Sequence, residues 1–297
     1  MIYTVTLNPS IDYVVYMDGY EEGKVNRAVK EAYRAGGKGI NVSVVLKNLG
    51  VDNVALGFQG GFTGKEILRL LQEQGVVTDF IEVEDGISRI NLILMNKKET
   101  EINCQGPIIT TQQIGVLYDK ISKLQSGDIV VLAGSVPKSL PDTFYGDVMA
   151  ILNKNGVKTV VDSTGKHLQN ALPYHPFLIK PNHHELSEIF GVTINDRDDI
   201  IYYAKKLQAL GARNVLVSRA EKGAILITDT NEVLESLPPE GKVVNSVGAG
   251  DSMVAGFVTG YQKTSDYKEA LKFGIAAGSA TAFSNQLATK EQIEKLL

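Results

Sequence analysis

Short apolar runs recur along this chain, and helix-like patterns fill the intervals between them. Ile2 to Leu7, Val54 to Phe58, Ile129 to Ala133, Thr159 to Asp162, Phe177 to Ile179 and Val215 to Ser218 are strand-sized, and most are continuously apolar rather than alternating. An alternating strand leaves one face to water, whereas a continuous one is covered on both faces. Between the runs, Val42, Val45, Leu46 and Leu49 fall at i, i+3, i+4 and i+7, and Gly50 then ends the helix. Gly64 to Gln74, Thr111 to Leu124, Pro141 to Asn153 and Asp196 to Leu210 follow the same logic. Alternation of this kind predicts an α/β/α arrangement, with helices on both faces of a mainly parallel sheet.

Two regions break the rhythm. Asp12 to Arg34 is polar and short-stranded, and Ser88 to Gln105 reads as a β-hairpin turning near Asn96 to Glu99. These pieces are expected to form a small discontinuous β lid over residues 10–35 and 87–106. After Asn245 the chain reads as wholly helical. A length of 297 residues allows two domains or one elaborated α/β domain. No linker rich in Pro, Gly or Ser divides the chain, so a single domain over 1–297 is expected. With 43% hydrophobic and 22% charged residues, intrinsic disorder is excluded. A net charge of −4 argues against a nucleic-acid protein held by phosphate contacts. One cysteine, Cys104, excludes an intrachain disulfide and a cysteine-based metal knuckle, and suits a reducing compartment. No apolar run approaches the roughly 18 residues of a membrane span. Met1 to Asn8 lacks the basic and long apolar segments of a signal peptide. A cytoplasmic protein with no membrane partner is expected.

The sharpest chemical signal is the run from Asn245 to Phe257, Asn-Ser-Val-Gly-Ala-Gly-Asp-Ser-Met-Val-Ala-Gly-Phe. Met253, Val254, Phe257, Val258 and Tyr261 form an apolar stripe at helical spacing, which starts the helix near Ala249. Gly248 and Gly250 permit tight backbone geometry and close approach of a ligand. The free amides of the first turn, with a dipole worth roughly half a positive charge, make an anion site. Asp251 lies in that same turn. A carboxylate beside an anion site suits a group that takes a proton from a hydroxyl while the amides stabilise a transferring phosphoryl group. The position equally suits an acidic residue that only favours the helix start. A second signal is Gly36-Gly37-Lys38-Gly39-Ile40-Asn41, which runs into the Val42–Leu49 helix; its glycines let amides face a ligand, and Asn41 offers a donor and an acceptor.

Together these segments resemble the two signature patterns of the PfkB (ribokinase-like) family of sugar kinases. The similarity extends over essentially the whole chain. It includes Leu7-Asn8-Pro9 followed by Asp12, Gly134-Ser135-Val136-Pro137, Lys180-Pro181-Asn182-His183-His184-Glu185, Ser218 to Gly223, and Ala276-Ala277-Gly278-Ser279. The resemblance implies a ribokinase-like three-layer fold, ATP and Mg²⁺ as cofactors, and a homodimer formed through the lid. It makes Asp251 the catalytic base and the amides of Gly248, Ala249 and Gly250 the anion hole. Asp12, Gly37 and Asn41 would hold sugar hydroxyls. Asn182 and Glu185 would act on Mg²⁺ and phosphates through water, with Lys180 near the ATP phosphates. Ser218, Ala220 and Gly223 would line the nucleotide groove, and Ala277 and Asn285 would lie near the adenine. The chain departs from the family where Ser246-Val247 replaces Asp-Thr, and where Ser218-Arg219-Ala220-Glu221-Lys222-Gly223 stands for Ser-Leu-Gly-x-x-Gly.

Within that family the chain is most similar to the phosphosugar branch. This implies phosphorylation of a primary hydroxyl of fructose 1-phosphate to give fructose 1,6-bisphosphate, with tagatose 6-phosphate as the alternative. A sugar phosphate needs about two negative charges matched, best by Arg forks or Lys points. Lys24, Lys38 and Arg89 are the cations expected near the sugar; Ser135 and Lys138 are further candidates, and Arg27 reads as a surface cation. A catalytically silent sugar-phosphate or nucleotide sensor, and a nucleoside or ribose kinase, are the competing readings. Several features point elsewhere than to chemistry. Gln59 to Glu66 lacks the first Gly and the final Ser/Thr of a Walker A loop. His183 and His184 would point about 100° apart on a helix, with no third ligand at metal-site spacing. His167 and His175 read as surface or loop residues. Cys104 reads as a packing residue, and Asp162 as either a ligand contact at a strand end or a helix cap.

Overall fold

The computed structural model describes residues 1–96 and 99–297. Its strands are β1 (Ile2–Thr6), β2 (Ser10–Tyr16), β3 (Lys30–Gly36), β4 (Asn53–Gly60), β5 (Val77–Thr78), β6 (Ile81–Val83), β7 (Arg89–Met95), β8 (Glu99–Ile102), β9 (Ile129–Ala133), β10 (Lys158–Asp162), β11 (Leu178–Ile179), β12 (Asn214–Ser218), β13 (Ala224–Ile227) and β14 (Val233–Ser236). Its helices are α1 (Lys38–Asn48), α2 (Gly61–Glu73), α3 (Thr111–Ile121), α4 (Phe144–Lys154), α5 (Gly165–Ala171), α6 (His183–Phe190), α7 (Arg197–Ala209), α8 (Ala249–Thr264), α9 (Tyr267–Ala282) and α10 (Lys290–Glu294).

The large sheet runs in the order β14-β13-β12-β11-β10-β9-β1-β4-β5, with β6 pairing to β4. From β12 to β5 the neighbours are parallel; β13 and β14 add an antiparallel edge. The continuous apolar runs have the predicted cause, because alternate residues of one strand feed opposite faces. Val130 and Leu132 enter a core with Leu117, Phe144 and Leu207, while Ile129, Val131 and Ala133 enter a second core with Val45, Val254 and Phe257. Val161 and Val160 divide in the same way, as do Val217 and Leu216. Full burial of each such side chain is worth about 1.5–3 kcal/mol, which is why these strands carry no polar face.

The rhythm-breaking segments form a separate four-stranded sheet in the order β3-β2-β7-β8. Here β2 runs parallel to β7, and β3 and β8 pair antiparallel on the two outer sides. The hairpin turn expected near Asn96 to Glu99 falls in part on residues 97 and 98, which lie outside the described residues. The rest of the hairpin pairs from Met95↔Glu99 to Leu92↔Ile102.

Boundaries shift where local chemistry outweighs periodicity. The first helix begins at Lys38, with Gly37 as its N-cap at φ 122°, so the glycine-rich segment is partly helix rather than a turn before it. Helix α4 begins at Phe144, because Pro141 is spent in the turn whose carbonyl receives the Phe144 amide. Cys104 is exposed rather than packed, since it follows β8, an exposed edge strand. Among the described residues no helix is long and apolar enough to cross a membrane.

Helices α8 and α9 pack unusually closely, and this sets where α8 starts. A Cβ on Gly256 would strike the Phe273 carbonyl and come within 2.8 Å of the Ala277 methyl; one on Gly260 would lie 2.9 Å from the Ala270 backbone. The smallest residues therefore fall where the two axes approach.

Candidate active site

In a parallel sheet every strand ends on the same side, and that edge is where loops and helix starts collect. Asp162 closes β10, Gly134 follows β9, Lys180 follows β11, and Ser218 closes β12. The first turns of α1 and α8 join them. Gly248 is the N-cap of α8 in the left-handed region at φ 78°, and a Cβ there would lie 2.6 Å from Leu287. No side chain caps this end; the Ala249 amide donates to the Ser246 carbonyl at 3.2 Å, which leaves those of Gly250 and Asp251 to be presented.

Asp251 is 7% exposed, and Asn41 Nδ2 donates to its Oδ2 at 2.7 Å. Its carboxyl is pushed up to about 6, first by burial and then by the charge of Asp162; Lys38, the Asn41 hydrogen bond and Lys180 oppose the rise. Asp162 is 1% exposed and receives two ammonium groups. Lys38 Nζ donates to Oδ1 at 2.9 Å, and Lys180 Nζ lies 3.4 Å from Oδ2. Burial alone would raise the Asp162 pKa, but Lys180 and Lys38 hold it below the usual carboxylate range. Burial would lower that of Lys38, but Asp162, Asp251 and the hydrogen bond to Asp162 hold it above its ordinary value. Lys180 is 6% exposed, and its Nζ stands 3.2 Å from where a Cβ of Gly250 would be. An anion at the start of α8 would therefore meet helix amides and a buried ammonium together.

The four-stranded sheet supplies a second group of polar side chains. Residues two apart on a strand share a face, and the register places Ser10 beside Arg89 and Asp12 beside Asn91. Ser10 Oγ donates to Asp12 Oδ1 at 2.7 Å, and Asn91 Nδ2 donates to the same oxygen at 2.9 Å. Oδ2 is left without a donor among the described residues, and a Cβ on Gly36 would collide with this carboxylate, which explains the glycine. Arg89 is half-buried; its Nε donates to the Asn8 carbonyl at 3.0 Å, and no carboxylate among the described residues lies within ion-pair distance. Burial disfavours its charge, with Asp12 opposing. A half-buried guanidinium with only one main-chain partner is unsatisfied by the protein itself.

The other sequence candidates divide. Asn182 and Glu185 form a reciprocal capping box at the start of α6, each side chain accepting from the other's amide at 2.8 Å. This uses Asn182 Oδ1 and Glu185 Oε2 and leaves Glu185 Oε1 without a donor among the described residues. A bridge between Asn182 and Ser218 brings the two segments side by side, and Ala220 follows at φ 50° in an exposed turn. Gly223 is a correction: it is buried, and a Cβ there would collide with the Ser236 carbonyl, so it shapes the β12–β13 turn rather than lining a groove. Ala277 is a second correction, because it is fully buried against α8 and has no surface for an adenine. Lys24 is exposed and pairs with Glu21 three residues away. Ser135 and Lys138 are exposed in the loop after β9, where Gly134 abuts Lys38, and neither side chain is tied to the site. Asn285 is exposed in the connection from α9 to α10.

The His183 and His184 rings do not diverge. Their centroids are 3.9 Å apart, because α6 only begins at His183 and the rings turn towards each other. No group of three metal-ligating side chains exists among the described residues. Asp162 caps no helix, since Thr164 is the N-cap of α5. Its clasp of two lysines, like the Ser10 and Asn91 contacts to Asp12, escaped the sequence reading. Spacing of two along apolar-flanked strands was the available signal for Ser10 and Asn91; no local signal links Asp162 to Lys38, 124 residues away.

A family model described as pfkB family carbohydrate kinase matches residues 5–293. The chain is 47% identical to the 1-phosphofructokinase of Bacillus subtilis (strain 168), over 100% of this chain and 97% of that protein. It is 40% identical to the D-tagatose-1-phosphate kinase of Bacillus licheniformis, over 99% and 97%. The crystal structure of phosphofructokinase-2 from Escherichia coli in complex with fructose-6-phosphate superposes with a TM-score of 0.92 at 28% identity, covering 99% of this chain and 97% of that one.

Proposed function

The chain belongs to the pfkB family of carbohydrate kinases, and from that footing we propose that it transfers the γ-phosphoryl group of ATP to the primary hydroxyl of a ketohexose phosphate, fructose 1-phosphate foremost. The observation that carries this reading is Asp251, held by Asn41 at the open start of α8 with the Lys180 ammonium beside the same turn. A phosphoryl acceptor needs its proton removed as the new bond forms, and the migrating group needs its charge met. Asp251 Oδ1, which has no donor among the described residues, takes the proton. The Gly250 amide, with Lys180 and Lys38, faces the phosphate oxygens. Asp12 Oδ2 accepts from a sugar hydroxyl, its orientation fixed by Ser10 and Asn91. Arg89 meets the phosphate already on the sugar, which supports a phosphosugar over a free sugar. The four-stranded sheet closes over the sugar and excludes water as a competing acceptor.

Mg²⁺ fits this site in the manner usual for nucleotide-bound magnesium, which keeps waters and phosphates as most of its ligands and needs no all-protein cage. Glu185 Oε1, left free by the capping box, would hold a metal-bound water; the ion's contribution is to neutralise the β- and γ-phosphate oxygens. Ser218 and Ala220 border the nucleotide side, next to the Asn182 bridge.

A tagatose phosphate is the second reading, favoured by the 40% identity to a D-tagatose-1-phosphate kinase. A silent sensor has no need of the base. The reading includes a homodimer through the four-stranded sheet, supported by exposed Tyr33, Ile90 and Ile102 on it, and a cytoplasmic location, supported by a single cysteine. The test is coupled ADP formation against fructose 1-phosphate, tagatose 1- and 6-phosphate, fructose 6-phosphate and the free sugars. The highest kcat/KM is expected with fructose 1-phosphate; equal turnover of free fructose would overturn the phosphosugar assignment.

A further inference from the structure

Asp162 has no place in the chemistry just described, yet it is the most enclosed carboxylate at the strand ends. It holds an ammonium from α1 and another from the end of β11. One lysine belongs to the segment that carries Asn41, on the acceptor side; the other stands at the α8 amides, on the phosphate side. Among the described residues, the charged groups acting on Asp251 are Asp162, Lys38 and Lys180, and Glu185 in turn acts on Lys38.

We propose that Asp162 is a positioning residue that keeps Lys38 and Lys180 at the start of α8 and off the carboxylate of Asp251. The buried ammonium of Lys180 and the half-buried one of Lys38 must each find an anion, because a charge removed from water without a partner is costly. Without Asp162 the carboxylates left at this edge are Asp251, which is buried, and Glu185, which is half-exposed; of the two, Asp251 acts the more strongly on Lys38. An ion pair there would hold the base ionised but weakly basic, and would withdraw both cations from the phosphates they are placed to meet. Asp162 offers one oxygen to each lysine, and no other group among the described residues donates to it. Its Oδ2 receives no close hydrogen bond, only the longer contact from Lys180. Lys180 is therefore the looser of the two and the one freer to turn to an incoming phosphate.

The inference rests on the kinase reading. The experiment separates the two, because that reading fails if the unaltered protein forms no ADP with any sugar phosphate, whatever the variants do. In an active protein, Asp162→Asn removes the negative charge and leaves an amide that accepts from only one lysine. Lys38→Met removes one ammonium and leaves Asp162 less neutralised. The readouts are kcat, both KM values, the acid limb of kcat/KM and the melting temperature. For Asp162→Asn, kcat is expected to fall about 10²-fold, the scale for misplaced catalytic groups, with KM for the sugar phosphate within about twofold. Its acid limb moves to lower pH by about one unit, as removal of a nearby like charge requires. For Lys38→Met the limb moves the opposite way, to higher pH. Opposite displacements are not produced by general loosening of the fold. An acid limb that stays in place in Asp162→Asn, or that moves to lower pH in Lys38→Met, would overturn the proposal. Should Asp162→Asn fail to fold, the direction in Lys38→Met decides it.

Discussion

A carboxylate that serves as a base must be ionised enough to accept a proton and basic enough to hold it, and Asp251 meets this by position. Burial and Asp162 raise it, Asn41 and the two lysines restrain it, and the outcome is about 6 rather than the ordinary aspartate value near 3.9. The sign for activity follows directly. As pH falls through 6 the base becomes protonated, so kcat/KM should drop on the acid side with an apparent pKa about two units above that of a free aspartate. A pH–rate profile whose acid limb lies near 4 would contradict this. Asp251→Asn should cut kcat by roughly 10²–10⁴ while leaving nucleotide affinity in place, measured by steady-state kinetics beside calorimetric titration with ATP. Arg89→Ala should raise KM for the phosphosugar about 10- to 100-fold, the equivalent of one charge-assisted contact or slightly more, with KM for ATP unchanged. Equal changes in both would mean that Arg89 is structural. Asp251 and Asn41 were legible as candidates from types and spacings in two short motifs, though not the hydrogen bond that joins them. Ser10, Asn91 and Asp162 were not legible, because each contact needs a partner that only strand pairing or burial supplies.

At the scale of elements, the start of α8 is fixed from behind by its packing on α9. Gly256 and Gly260 let the two backbones approach, and Ala277 fills the remaining space. The family resemblance had suggested that Ala277 lay near the nucleotide; its position in the second core shows instead that small residues at this spacing serve helix contact. Gly256→Val should force the helices apart and cost about 1–3 kcal/mol. In a chain of this length that corresponds to a fall of about 2–5 °C in melting temperature, readable by calorimetry. Activity should fall with it, because α8 carries the amides and Asp251 on its first turn. The strands and helices themselves followed from periodicity, and most ends were placed within a few residues. The deviations came from caps: Gly37 draws α1 forward to Lys38, and Pro141 delays α4.

Across the whole molecule, the four-stranded sheet stands apart from the large one and presents Tyr33, Ile90 and Ile102 to solvent, with β8 exposed along its length. Burial of that surface between two copies should give a particle of twice the chain mass in size-exclusion chromatography with light scattering. Ile102→Lys should shift it towards the monomer, and a monomer at all concentrations would remove the dimer from the reading. The sequence by itself determined the parallel sheet, the helix starts that bear glycine, and the type of chemistry those starts support. These are local matters, written in periodicities of two and 3.6 and in residues whose backbone freedom or ionisation is a property of one position. Tertiary structure alone decided which carboxylate meets which cation. Lys38, Asp162, Lys180 and Asp251 come from four separate segments, and their mutual charges act only because folding removes the water between them.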